Sequence, residues 1–372
     1  MKLRPDGARL VEVLRDPRVA QGYQDAQWSS LIATARSANV LGALAERLKD
    51  AGVGACVQAE RHLSGARQLS MRQRQSVVWE VYQINEALGT LQIPVVLLKG
   101  AAYVLANHLV ARGRLFGDID ILVPRDSLWD VESRLMLNGW ISAKSSAYDQ
   151  RYYRQWMHEI PPLTHLRRGT VLDVHHTILP LTSRNAPDPR QIIARSTIVP
   201  LSGLPALRVP CAEDLVIHSI THLVHEGELH NGLRDLRDID CMLRSFGAAP
   251  AFWSRLAGFA AGNDLAQPVL LGLHLTRLIF ATPIPDAIFE QLSADERATQ
   301  PAQWLKATYI KALSPLNMDD QELLAGIARS LIYVRAHALR MPLSLLVRHL
   351  SVKAWMALRE YSGDPDKVKA TP

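Results

Sequence analysis

The chain has 372 residues, of which 48% are hydrophobic and 21% charged, with 42 lysines and arginines against 36 acids for a formal net charge of +6. That is an ordinary globular balance with enough chain for two or three folded units, and the basic residues are dispersed rather than gathered into the tract a nucleic-acid surface needs. Cys56, Cys211 and Cys241 are odd in number and lack metal-ligand spacing, which excludes a disulfide framework and a cysteine zinc site and reads as free or buried thiols.

From about residue 8 to residue 90 apolar positions recur at helical spacing: Leu10, Val13 and Leu14, then Leu31, Ile32 and Ala35, then Val77, Val78, Val81 and Ile84. The spacing predicts three or four helices, interrupted at Gly52 and Gly54, with no visible chemistry. The pattern changes at Ile93. IPVVLLKG reads as a short strand ending in Lys-Gly, AAYVLANHLVARG as a helix closing on Gly113, and FGDIDILVP as a second strand stopped by Pro124. DSLWDVESRLMLNGW follows as a helix capped by Asp126 or Ser127 and ending at Gly139. EIPPLTHLRR and GTVLDVHHTI flank an Arg-Arg-Gly turn and read as a hairpin. Residues 180–210, rich in Pro, Ser and Asn, read as loop with one short helix. Helices are expected from Ala212 onward. The division expected is an N-terminal helical segment (1–90), an α/β core (91–210) and a C-terminal helical domain (211–372).

The opening MKLRPDGARLVEVLRD has charges where a signal peptide needs an apolar stretch. The most apolar later run, PVLLGLHLTRLIFATPIP, carries His274 and Arg277 and is too short for a bilayer. A soluble cytoplasmic protein is the expectation. The C-terminal run LIYVRAHALRMPLSLLVRHLSVKAWMALRE is amphipathic and basic; packing against the core or a second subunit is the ordinary reading, membrane-surface attachment the alternative.

The chemistry centres on Asp118-Ile119-Asp120. Residues i and i+2 of a strand share a face, so the two carboxylates lie side by side while Ile119 and Ile121 face the core. Paired like charges cost stability unless a cation neutralises them, and two oxygen ligands on a rigid strand suit Mg²⁺ (or Mn²⁺), which takes its remaining oxygens from water and phosphates. Asp173, in VLDVHHTI, supplies a third carboxylate if its strand lies beside the first. The Lys99-Gly100-Ala101 turn between strand and helix offers backbone N–H groups and a cation to phosphate, and Arg112 or Arg114 would reach it from the loop before the acidic strand. The plainer alternatives are a snorkelling Lys99 and an Arg114 paired with Asp118.

Strand, Gly-small turn, helix, D-x-D strand and a later Asp in a strand is an order that resembles the DNA polymerase β-like nucleotidyltransferase superfamily. More narrowly, LLKGAAYVLANHL, RLFGDIDILV and VLDVHHTI resemble the bacterial family of uncharacterised nucleotidyltransferases, over about Leu97 to His176. A weaker echo runs through VPCAEDLVIHSITHLVHEGELHNGLRDLRDIDCML. The resemblance implies an α+β fold with a small mixed-sheet nucleotidyltransferase core flanked by N-terminal and C-terminal helical regions. It implies a metal pair at Asp118 and Asp120, a third catalytic carboxylate at Asp173, and nucleotide contacts at Lys99, Gly100, Ala101 and Arg114. Ala101 stands where the superfamily usually has serine, leaving phosphate to the backbone and Lys99. The implied reaction moves a nucleoside monophosphate from a nucleoside triphosphate such as ATP to an acceptor, with a small molecule, saccharide, peptide or protein favoured over RNA. An inactive nucleotide-binding relative and an RNA-modifying enzyme are the alternatives.

Three further features are set apart. His175 shares a strand face with Asp173 and lines a pocket or packs as an ordinary partly buried histidine, while His176 faces the other way. The second Asp-Ile-Asp, at 238–240, falls in a helical stretch, where i and i+2 point roughly 200° apart and share no metal; Asp235 and Asp238 are expected to pair with Arg234 or Arg237, with a pocket role, implied by the family resemblance, as the alternative. His218, His222 and His225 form a stripe on one helix that reads as a partly buried face towards the cleft rather than as a zinc site.

Overall fold

Four helices precede the first strand in the computed structural model, which describes residues 3, 5–142, 147–199, 207–315, 323–342 and 344–346. They are α1 (Pro5–Arg15), α2 (Asp25–Ser37), α3 (Leu41–Asp50) and the long α4 (Val57–Leu88). Each exists because its periodic apolar face is buried: Leu10, Val13 and Leu14 on α1, Leu31, Ile32 and Ala35 on α2, Val77, Val81 and Ile84 on α4. Gly52, at φ +67°, turns the chain between α3 and α4 in a conformation only glycine adopts freely.

Beyond α4 the chain makes β1 (Val95–Leu97), α5 (Lys99–Leu105), β2 (Asp118–Leu122), α6 (Leu128–Leu137), β3 (Trp140–Ser142), α7 (Ala147–Trp156), β4 (Leu163–His165), β5 (Val171–His175), α8 (Pro189–Arg195), β6 (Thr197–Ile198) and β7 (Leu207–Val209). These strands form one mixed sheet in the order β3-β4-β5-β2-β1-β7-β6. The expected hairpin is present: β4 and β5 run antiparallel around a turn in which Gly169 sits at φ +69°. β2 and β5 run parallel, with Asp118 beside Val171 and Asp120 beside Asp173.

Three expectations need correction. The helix expected to close on Gly113 stops at Leu105: Asn107 takes φ 54°, and the N–H groups of Asn107 and His108 bond to the carbonyls of Val104 and Tyr103, a helix stop that asparagine supports. Ser127 stands at the N-cap of α6 as expected, but its hydroxyl makes no capping hydrogen bond, because a 3₁₀ turn at Arg125–Ser127 leads into the helix. The 180–210 segment has its short helix, α8, capped by Asp188 on the N–H of Arg190, but it also supplies β6 and β7. β7 pairs parallel with β1 over only two register pairs, too short a run for alternation to betray it; residues 200–206 lie outside the described residues.

The remaining helices, α9 (Ala212–Glu226), α10 (Gly232–Phe246), α11 (Pro250–Gly262), α12 (Ala266–Phe280), α13 (Asp286–Ser293), α14 (Gln303–Leu313) and α15 (Leu323–Arg340), complete an α+β fold with helices on both sides of the sheet region. α15 covers the start of the basic amphipathic run; its continuation beyond Leu346 lies outside the described residues. No helix among the described residues is long and apolar enough to cross a membrane.

Two contacts from α4 and one from α3 fix the parts of the sheet that matter below. Glu80, buried in α4, accepts hydrogen bonds from Arg168 and Thr170 and so clamps the β4–β5 turn. Gln73 Oε1 accepts from the N–H of Phe116 at 2.8 Å and holds the approach to β2. Gly42 and Gly113 press backbone to backbone so closely that a Cβ on either would overlap the other's main chain.

Candidate active site

The parallel register of β2 and β5 does what the sequence requires of it. Asp118, Asp120 and Asp173 converge, each offering a carboxylate oxygen within 4.8 Å of the others. Ile119, Ile121, Leu172 and Val174 are buried at 2% exposure or less, which anchors both strands rigidly beneath the acids. Asp118 is the exposed member and Asp120 the buried one.

The charges at these positions are unequal. Burial opposes ionisation of Asp120, but Lys99 Nζ at 2.8 Å and His175 Nε2 at 3.0 Å hold its carboxyl well below the usual carboxylate range. Both contacts fall on Oδ1, leaving Oδ2 outside them. Burial, followed by the charges of Asp120 and Asp118, pushes the Asp173 carboxyl up to about 7, and its Oδ1 is buried without a hydrogen-bond partner. A buried orphan oxygen beside two further carboxylates is the signature of a place short of positive charge. The donor set, three carboxylates and no nitrogen or sulfur, fits a hard divalent cation.

The cleft beside the acids has a volume of about 550 Å³ and is lined by Lys99, Gly100, Arg114, Asp118, Asp120, Arg234 and others from α9 and α10. Lys99 opens α5 at φ 41°, a left-handed conformation that places its ammonium on Asp120. Burial alone would lower its pKa; the Asp120 charge and hydrogen bond carry it above the ordinary lysine value instead. Lys99 is therefore paired with Asp120 while it lines the cleft. Gly100 is needed for room: a Cβ would meet the Phe116 ring at 2.7 Å and Arg114 Nη1 at 3.0 Å. Ala101 is buried inside α5 and its side chain does not line the cleft.

Arg114 pairs with Asp238, not with Asp118: its Nε donates to Asp238 Oδ2 at 2.7 Å, and its guanidinium lies over the Tyr103 and Phe116 rings. It lines the cleft from that anchored position. Arg112 is turned away, held by Glu46 and Asp50, which removes it from the phosphate candidates. Asp235 pairs with Arg234 and Asp238 also receives Arg237, as the helical reading expects. Asp240 instead meets Arg244 and Thr282, so 238 and 240 share no ion. Of the histidine stripe, His222 lines the cleft, whereas His218 and His225 are buried. His176 points to a different cavity, lined by Pro124 and Arg125.

Sequence reasoning passed over Arg234, Glu159 and His158. Arg234 reaches the cleft through the packing of α10 against α9 and the 109–111 turn, a relation no local spacing encodes. Glu159 and His158 come beside His175 because the 158–160 segment bonds along the end of β5, Ile160 N–H to Val174 and His176 N–H to His158; the available signal was the adjacent His-Glu pair before the first strand of the hairpin.

A comparison with curated proteins returns no match. A family model described as "uncharacterised nucleotidyltransferase" matches residues 24–281, a span that takes in three of the four N-terminal helices, the whole sheet, the acidic cluster and the α9–α10 wall of the cleft. The chain belongs to this nucleotidyltransferase family and is a transferase of phosphorus-containing groups.

Proposed function

We propose that the chain transfers a nucleoside monophosphate from a nucleoside triphosphate to an acceptor hydroxyl or phosphate, releasing pyrophosphate, with Mg²⁺ held by Asp118, Asp120 and Asp173. The observation that supports it most is the Asp120–Asp173 register with the orphaned Asp173 oxygen. When bound, divalent ions supply charge neutralisation at the triphosphate and activation of the attacking oxygen.

The chain's own groups do the rest. Lys99 and His175 fix Asp120 by its Oδ1 so that its other oxygen faces one direction. Asp173, opposite Asp120 in the parallel register of β2 and β5, is placed to help accept the acceptor's proton at a carboxylate oxygen. Arg114 and Arg234, both paired with acids on α10, line the triphosphate path with their orientation already set. The absence of a Cβ at Gly100 lets Arg114 and Phe116 pack directly against that wall.

The test is thermal unfolding of the full chain with ATP, GTP, CTP or UTP, with and without Mg²⁺, for wild type and for Asp118→Asn/Asp120→Asn. At a hundred times its Kd a ligand stabilises by about 2.7 kcal/mol. We expect Mg²⁺-dependent stabilisation by at least one triphosphate, abolished in the double variant. Equal shifts in both proteins would remove the acidic pair from the reading.

A further inference from the structure

His175 leads from Asp120 to a second group of side chains. Its Nε2 lies 3.0 Å from Asp120 Oδ1, and an ionised carboxylate only accepts, so Nε2 carries a proton, and in the neutral ring Nδ1 presents a lone pair. Nδ1 is buried and has no hydrogen-bond partner, although Glu159 Oε2 stands 3.4 Å from it. His158 Nε2 is 3.8 Å from the same oxygen, and the two imidazoles stack with centroids 5.1 Å apart. His158, Glu159 and His175 each offer a ligand atom within 4.8 Å of the others. The arrangement is held by the backbone, through the Glu159–His175 bridge and the His176 N–H to His158 carbonyl bond.

An imidazole nitrogen and a carboxyl oxygen 3.4 Å apart with no hydrogen bond between them leave a place for a cation. A shared proton would draw nitrogen and oxygen to roughly 2.7–3.2 Å. Two ligands of one tetrahedral ion, each about 2.0–2.1 Å from it, stand about 3.3–3.4 Å apart; His175 Nδ1 and Glu159 Oε2 have that spacing, and His158 Nε2, 3.8 Å from the same oxygen, would close in by a few tenths of an ångström on binding.

We propose that His158, Glu159 and His175 form a three-ligand site for a divalent transition cation of the Zn²⁺ class, distinct from the all-oxygen site on β2 and β5. Two imidazoles and one carboxylate suit such an ion and do not suit Mg²⁺. Three protein ligands leave a fourth position for water or a ligand oxygen. The Nε2–H of His175 on Asp120 is then the carboxylate–histidine–metal relay that fixes a ligating ring, and the ion on one side of the imidazole sets the direction of Asp120 on the other. His158 and Glu159 act on the transfer site as positioning residues, through His175.

The experiment is Co²⁺ titration of the chelator-treated full-length chain, without nucleotide, followed by visible absorption. The expected result is one equivalent with the intense bands of a four-coordinate ion, displaced by Zn²⁺, retained in Asp118→Asn/Asp173→Asn, and weakened at least about tenfold in His158→Ala and in Glu159→Gln. Weak six-coordinate bands alone in wild type would overturn the proposal, as would a four-coordinate spectrum that follows Asp118 and Asp173 and ignores Glu159→Gln. The wild-type spectrum decides even if His158→Ala does not fold. Because the readout needs no triphosphate, its failure leaves the transfer reading standing, and failure of the nucleotide shifts leaves this one standing.

Discussion

The tripeptide Asp-Ile-Asp occurs at 118–120 in β2 and again at 238–240 in α10. In the strand both acids share a face, meet Asp173, and outnumber the cations around them; one oxygen of the group is left buried and unpartnered. In the helix the same two acids turn apart, Asp238 to Arg114 and Arg237, Asp240 to Arg244 and Thr282. The backbone period thus converts one sequence into a place short of positive charge and the other into two arginine ties. The second copy also serves the first, since Asp238 is what holds Arg114 at the edge of the cleft.

The sharpest way to break the comparison is to neutralise one acid in each copy. Asp120→Asn should cost about a thousandfold or more in kcat, since removing charge stabilisation at the reacting phosphate is worth several kcal/mol; nucleotide-transfer kinetics measure it. Asp238→Asn should leave the chemistry in place but strand a largely buried guanidinium, lowering stability by about 3 kcal/mol and raising KM for the triphosphate. Denaturant unfolding with parallel kinetics separates the two effects.

Asp173 gives a prediction with a sign. Its folded carboxyl titrates at about 7, above an unfolded value of about 3.9, so the metal-free chain binds this proton more tightly when folded. That contribution is complete below the unfolded value and lost as pH rises through about 7. Asp173→Asn should therefore stabilise the chelator-treated protein at pH 8 by roughly 1–3 kcal/mol and change little near pH 4; an unchanged difference across that range would show that the carboxyl is not raised. The smallest effect belongs to Asp240→Asn: the amide still accepts from Arg244 and Thr282, so stability should fall by about 1 kcal/mol or less, with transfer activity intact. Substantial loss of activity there would blur the contrast between the two copies.

Much of the site was legible because it rests on local period. Asp118 and Asp120 announce themselves in an apolar strand, and Asp173 lies in a run that pairs naturally with it. The helical assignment of 238–240 was equally readable from Leu233, Leu236, Ile239 and Leu243, all buried in α10. What escaped was whatever depends on distant chain. Arg114's partner comes from 124 residues downstream, Arg112's from α3, and neither choice is encoded near the arginine. β7 escaped for another reason: three residues beside a central strand carry too little pattern to outweigh neighbouring prolines. The pairing of Lys99 with Asp120 was not legible, because a carboxylate 21 residues away reaches it only within the fold.

The Gly42–Gly113 contact carries a consequence for how the molecule answers to mutation. Gly113 is the residue before Arg114 and lies in the loop that delivers Asp118 to the cleft, while Gly42 belongs to α3, remote from it in sequence. With no side chain between them, α3 is in effect one jaw of a vice whose other jaw is the loop into β2. Any side chain at 42 must push that loop, and the loop can yield only by moving Arg114 and the start of β2. A screen that reads transfer activity would then score position 42 among the active-site residues, although Gly42 does not line the cleft.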